Sequence, residues 1–160
     1  MKLEDLITRF SDTTEKQRKA IFSTLFIAEN KLQTLFDNHI PELSLKQFML
    51  LSMVKQAKEP QTLTQFANLL GCSRQNIKKL ADILMRKGFI RIRQSPHDTR
   101  AMCISPTEKV NEYFENDFLE YQKELNYLFE VYTDKEIETL FMLLSKLYAG
   151  IENLEKCNEK

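Results

Sequence analysis

The stretch "SRQNIKK", Ser73 to Lys79, concentrates side chains that can read a nucleic acid. Arg74 can pair bidentately with a guanine edge, and Gln75 or Asn76 with an adenine edge. Lys78 and Lys79 offer point charges to phosphate, and Ser73 a hydroxyl. A second group follows at 91–100, where Arg91 and Arg93 precede the turn "QSPHDT" and Arg100 closes it. An arginine at a narrow loop tip suits a minor groove, most of all an A·T-rich one with a strengthened negative potential. Asp98 is spaced to hold the Arg100 guanidinium by a charge-assisted hydrogen bond. His97 stands near the backbone path, and Thr62 and Thr64 can donate to phosphates.

For the groove-reading stretch to work it must be one face of a helix. Its apolar partners are Ile77, Leu80, Ala81, Leu84 and Met85, a single stripe with the polar reading residues opposite. Ser73 is the predicted N-cap, and Gly88 follows the last turn, where Arg86 and Lys87 suit the helix dipole. Asp82 is the one acid on that helix. Upstream, "LTQFANLLG" reads as a short helix capped by Thr62 and ended by Gly71. Downstream the period changes to two: "FIRIR" and "RAMCI" alternate as strands and predict a β-hairpin. A short helix, a three- or four-residue turn, a basic helix and a two-stranded ribbon make a winged helix-turn-helix.

The flanks predict more helix. Ile21, Leu25, Ala28, Leu32 and Leu35 place a long first helix at 13–37, widened by Phe22, Phe26 and Phe36; Pro41 ends it. Ser44 caps a second helix at about 45–57. Ser105 with Glu108 has capping-box spacing, with Pro106 at the first helical position and Thr107 a rival cap, for a fifth helix at about 107–131. Thr133 with Glu136 repeats the device for a last helix carrying Ile137, Leu140, Leu144, Leu147 and Ile151. The expected class is mainly α: about six helices and the two-stranded wing in one domain over 1–160. The DNA-binding lobe is expected at 44–105.

Charge is distributed to match. The net charge of the 160 residues is zero, yet residues 72–103 hold eight Lys/Arg against two Asp/Glu, and residues 104–160 hold six against thirteen. A basic centre followed by an acidic half suits one surface meeting a polyanion while another avoids it. No apolar run reaches the ~20 residues of a membrane span, and acids interrupt the N-terminal stretch where a secretory signal would be apolar. A soluble, cytoplasmic protein without membrane association is expected. His39 and His97 are the only histidines and do not cluster with other ligands, so no metal or cofactor is expected. No nucleophile–base pair or Gly-rich phosphate loop suggests an enzyme.

The block "LTQFANLLGCSRQNIKKLADILMRKGFIRIRQSPHDTRAMCISPTEK" resembles the core of the MarR family of bacterial transcription regulators, and the helix order extends the likeness over nearly the whole chain. The most specific part is the wing, which is similar to the family pattern Asp-Pro-x-Asp-Arg-Arg, an apolar strand, then Leu-Thr-x-x-Gly. Pro96, Asp98, Arg100 and Thr107 match; Ser95, Thr99, Pro106 and Val110 depart from it. The departures remove one wing charge and keep the Asp-x-Arg pair.

The resemblance implies a homodimer joined through N- and C-terminal helices, here 1–38 with 107–155. Each recognition helix would enter one of two successive major grooves of a pseudo-palindromic operator. It also implies a repressor released by a small aromatic or anionic effector. The stripe Leu3, Leu6, Ile7 and Phe10, without an obvious partner in a small core, supports the dimer from the residues themselves. Phe22, Phe26, Met49, Met53 and Tyr113 are candidate effector-pocket residues, or ordinary core. Two alternatives remain open. Cys72, just before the N-cap Ser73, is placed where a helix dipole favours a thiolate, which would make the protein redox-responsive. In a different class, the basic face would bind an acidic protein rather than duplex.

Overall fold

The computed structural model describes residues 5, 8–39, 42–95, 100–116 and 118–158 of the chain. The wing-tip residues Pro96, His97, Asp98 and Thr99 lie outside the described residues, as do Leu3, Leu6, Ile7 and Pro41. The described elements run α1 (Thr14–His39), α2 (Leu45–Gln56), β1 (Gln61–Thr62), α3 (Leu63–Leu70), α4 (Arg74–Arg86), β2 (Ile90–Gln94), β3 (Met102–Pro106), α5 (Glu108–Asn116), α6 (Phe118–Phe129) and α7 (Asp134–Asn158). They fall into two compact units, Met1–Asn116 and Asp117–Lys160. Among the described residues no helix is long and apolar enough to cross a membrane.

The first unit is built around one core. Leu50, Leu51 and Val54 of α2, Phe66 of α3, and Ile77, Ala81 and Leu84 of α4 are essentially without solvent contact, as are Phe89, Ile104 and Val110. The helix starts are those that short polar side chains dictate. Ser44 accepts from Gln47 N, and the Gln47 side chain accepts from Ser44 N, a reciprocal capping box. Thr62 and Gln65 form another, at 3.2 and 2.7 Å. Ser73 caps α4 by accepting from Asn76 N at 3.1 Å.

Both glycines flanking α4 occupy the left-handed region, Gly71 at φ 63° and Gly88 at φ 80°, where a side chain would be strained. At the end of α3, Gly71 N donates to Asn68 O and Cys72 N to Ala67 O; at the end of α4, Gly88 N donates to Met85 O and Phe89 N to Leu84 O. Each is a Schellman turn that satisfies carbonyls left open by the helix end. The glycines therefore set where the recognition segment begins and where the wing departs.

The sheet corrects one expectation. The two-stranded hairpin forms as expected, but it belongs to a three-stranded sheet in the order β1-β3-β2, because Gln61 and Thr62 pair with Ile104 and Cys103. The two wing strands pair from Ile90↔Pro106 to Gln94↔Met102, and Ser95 N to Ala101 O at 2.8 Å extends the ladder toward the tip. With β1 on its other edge, β3 is central, and both Cys103 and Ile104 are buried.

The start of the fifth helix is also corrected. Ser105 and Pro106 belong to β3, where Ser105 pairs with Arg91, so neither begins a helix. Thr107, the other candidate cap, directly precedes Glu108 at the start of α5, and its hydroxyl shares its one proton between the carbonyls of Gly88 and Phe89, at 2.7 and 3.0 Å. At Ser105 the local capping signal loses to the strand ladder. Of the helix expected at 107–131, Glu108–Asn116 (α5) and Phe118–Phe129 (α6) are helical, and Asp117 between them lies outside the described residues. The described residues hold seven helical segments in all.

In the second unit, Thr133 and Glu136 cap α7 reciprocally: Thr133 N donates to the carboxylate at 2.8 Å and Glu136 N to the hydroxyl at 3.4 Å. Thr133 N and the Thr133 hydroxyl, which donates to the same carboxylate oxygen at 2.9 Å, hold the Glu136 carboxyl below its ordinary value.

Candidate nucleic-acid interface

The three-residue turn Gly71–Ser73 swings α4 out from α3, and the inward stripe Ile77, Ala81 and Leu84 pins it to the core. What remains outward is Arg74, Gln75, Asn76, Lys78 and Lys79, all exposed, with Asp82 half-buried. Arg74, Gln75, Lys78 and Lys79 line one groove of about 620 Å³ together with Leu63 of α3 and Met102 of the wing. Asn76 lies on the other flank. It lines a separate groove of about 380 Å³ with Glu29 and Gln33 of α1, Lys46 and Met49 of α2, and Cys72 of the turn. The helix thus divides the recognition residues expected from sequence into a cationic and amide set facing the wing, and Asn76 facing α1 and α2.

The wing adds charge beside the first set. Arg91 and Arg93 alternate with Ile90 and Ile92 along β2 and are exposed, and Arg100 is exposed at the start of the return. The Asp98–Arg100 pair and the placing of His97 fall outside the described residues. Thr64 is exposed at the start of α3. Thr62 uses its oxygen to accept from Gln65 N, which leaves its proton available to donate.

The far end of α4 is anchored by residues that sequence reasoning missed. Lys109 Nζ donates to Lys87 O at 3.2 Å, lies 3.6 Å from the Glu42 carboxylate and sits 4.3 Å from the centre of the Phe89 ring. Lys87 Nζ in turn donates to the Glu42 carbonyl, and Glu42 holds a left-handed backbone at φ 64°. A cation at a helix C-terminus complements the dipole. Nothing local in the sequence marks this set, since its members are brought together from three separate segments. Leu63 and Met102 were also missed as groove walls, because their apolar character reads as core.

The effector-pocket candidates are spread over α1, α2 and α5. Phe22 and Phe26 stack edge-on at 5.0 Å on α1 and are exposed. Met49 borders the groove at Asn76 and Cys72. Met53 borders another, of about 380 Å³, with Gln56, Gln61, Gln65, Phe66 and Leu69. Tyr113 is buried, packed edge-on against Phe89 and Phe114 at 5.3 and 5.7 Å. Cys72 is half-buried, Cys103 buried and Cys157 exposed, all as free thiols. Among the described residues, no three His, Cys, Asp or Glu side chains come together as a metal site.

A capped basic helix after a three-residue turn, beside a small antiparallel sheet, defines a winged helix-turn-helix. The sequence model of the MarR family matches residues 43–102. An uncharacterized HTH-type transcriptional regulator of Bacillus subtilis (strain 168), YpoP, is 33% identical over 121 residues, covering 74% of this chain and 81% of its own. The transcriptional repressor MprA of Escherichia coli (strain K12) is 29% identical over 87 residues, 54% of this chain and 49% of its own. Among solved structures, the S. aureus MepR–DNA complex shares the fold at a TM-score of 0.70 and 19% identity, covering 81% of this chain and 97% of that one. The chain belongs to the MarR family of transcription regulators.

Proposed function

We propose that this protein binds duplex DNA sequence-specifically as a homodimer and represses transcription until a small effector releases it. The observation that carries the reading is the groove in which Arg74, Gln75, Lys78 and Lys79 stand exposed beside Met102 of the wing. Cations supply affinity for phosphate and an amide supplies base discrimination, and a helix with both on its outward face is suited to a major groove. In this reading α4 enters that groove with Ser73 and Asn76 at its leading end. The wing residues Arg93, His97, Asp98 and Arg100 serve the minor groove and backbone, and Thr62 and Thr64 grip phosphates. The repressor assignment draws on MprA and the DNA partner on the MepR complex. A protein that acts on bacterial operators works in the cytoplasm.

The dimer reading rests on uncovered apolar surface. Among the described residues of α1 only Phe36 is buried, and of α7 none is, although both carry long apolar stripes. Exposed stripes of that length call for a partner. A second copy supplies one through the same helices, assigned above to 1–38 and 107–155. The lobe over 44–105 is then left free to meet DNA.

Gln75→Ala tests the reading directly. The variant is expected to lose discrimination at one or two base positions, at about 1–3 kcal/mol for a lost bidentate contact, with the salt dependence unchanged. Binding to duplexes carrying each single-base change reads this out. An unaltered preference at every position would place Gln75 outside the base-reading surface.

A further inference from the structure

Arg74, Lys78, Asp82 and Arg86 recur at every fourth residue and form one row along α4. Three are cations, and the exception is paired: the Asp82 carboxylate takes the Lys78 ammonium, with the two side chains 37% and 50% exposed. Arg86 turns back on its own helix, its Nε donating to Asp82 O at 3.3 Å. Arg74 and Lys79 make no ion pair among the described residues. Of the four cations in or beside the groove-facing row, Lys78 alone is thus already matched by a carboxylate.

Helix stability does not account for Asp82. An exposed pair at this spacing contributes little to helix stability. Its orientation is also the weaker one, with the cation toward the N-terminus and the acid toward the C-terminus, against the macrodipole. The carboxylate further subtracts one charge from a surface otherwise built to meet a polyanion.

Its effect on DNA binding is more informative. The Lys78 ammonium has three donors, and Asp82 occupies one. A phosphate brought to the others would place a second anion beside the carboxylate, which like-charge repulsion opposes. A guanine edge offers O6 and N7, uncharged acceptors that carry no such penalty. The pair therefore favours base edges over backbone as partners for Lys78.

We propose that Asp82 is a specificity-determining residue: by holding Lys78 it suppresses sequence-independent phosphate binding and reserves this cation for base recognition. This rests on the DNA-binding reading above and names how the same surface discriminates.

The test compares wild type, Asp82→Asn, Lys78→Met and the double variant on a duplex selected by the wild-type protein and on a scrambled duplex. Affinity is followed across about 50–200 mM salt, where each phosphate contact adds about 0.9 to the slope of log K against log salt. Asp82→Asn is expected to bind the scrambled duplex more tightly, with a slope steeper by about 0.9, and the ratio between the two duplexes should fall. In the Lys78→Met background Asp82→Asn should bring no such gain, so the double variant should match Lys78→Met alone in slope. Asp82→Glu, which keeps the charge, should behave as wild type. A wild-type slope and ratio in Asp82→Asn would overturn the proposal, as would a gain that survives removal of Lys78. A wild-type protein that holds both duplexes equally would instead contradict the DNA-regulator reading, and the proposal with it. A preference in wild type with no change in Asp82→Asn contradicts the proposal alone.

Discussion

Leu147→Glu combined with Ile151→Glu is expected to convert the dimer to monomers and to weaken binding to a two-half-site duplex by about 10²–10⁴-fold. Both residues lie on α7, 39% and 44% exposed, one turn apart. They belong to the series Ile137, Leu140, Leu144, Leu147, Ile151 and Leu154, spaced alternately by three and four residues. That spacing is the seam by which helices pack against one another. Within one copy the seam is largely uncovered, so placing two carboxylates on it removes little intrachain packing. Linking two reading heads makes the second contact intramolecular, and the loss on separating them is a loss of effective concentration. Binding to a single half-site should change little. Sedimentation at micromolar concentration checks the oligomeric state, and titration of one- and two-half-site duplexes checks the energetic claim. A double variant that remains dimeric would move the interface away from α7.

Phe89→Ala is expected to destabilise the first unit by about 3–5 kcal/mol, the usual range for removing a buried aromatic. Phe89 has no exposed surface and packs edge-on against Tyr113 at 5.3 Å. Its backbone N–H closes the Schellman turn at the end of α4, and its carbonyl accepts from both Thr107 N and the Thr107 hydroxyl. The residue stands where the recognition helix, the wing and α5 meet. Its loss therefore opens a cavity at the joint that orients α4 relative to the wing. Denaturant unfolding measures the stability change, and DNA affinity should fall with it even at temperatures where the variant remains folded. A loss below about 1 kcal/mol would show that the joint relaxes to fill the space, against the packing seen around Phe89.

The recognition helix could be read from sequence because everything that bounds it is local. Ser73, the stripe Ile77, Ala81 and Leu84, and Gly88 lie within sixteen residues, and each acts through neighbours in the chain. The Thr133–Glu136 start of α7 is local in the same way. What sequence reading missed depends on distant partners. The two-residue strand β1 exists only because Gln61 and Thr62 meet Ile104 and Cys103, about forty residues later. Ser105 carries a good capping pattern, yet its pairing with Arg91 makes it a strand residue. α5 is tied to the first unit through Val110 and Tyr113, whereas α6 belongs to the second.

The candidate site divides similarly. The polar side of α4 followed from helical periodicity, and its exposure agrees with that pattern. That Asn76 borders the α1–α2 groove while Gln75 borders the wing is a matter of angle around the helix and of what packs on either flank. The Lys78–Asp82 pair was visible as a spacing but not as a bond. Of the anchoring set Glu42, Lys87 and Lys109, only Lys87 had a local signal, as a cation in the last turn of α4, since charge alone does not say which carbonyl a lysine will reach.

The most direct test is to select duplexes from a random pool with the wild-type dimer at about 150 mM salt and sequence those retained. A winged-helix dimer of this kind should enrich a pseudo-palindrome whose half-sites are centred about 10 bp apart, one helical turn. Retention without any enriched sequence, or enrichment of a lone half-site by a protein that is still dimeric, would contradict it.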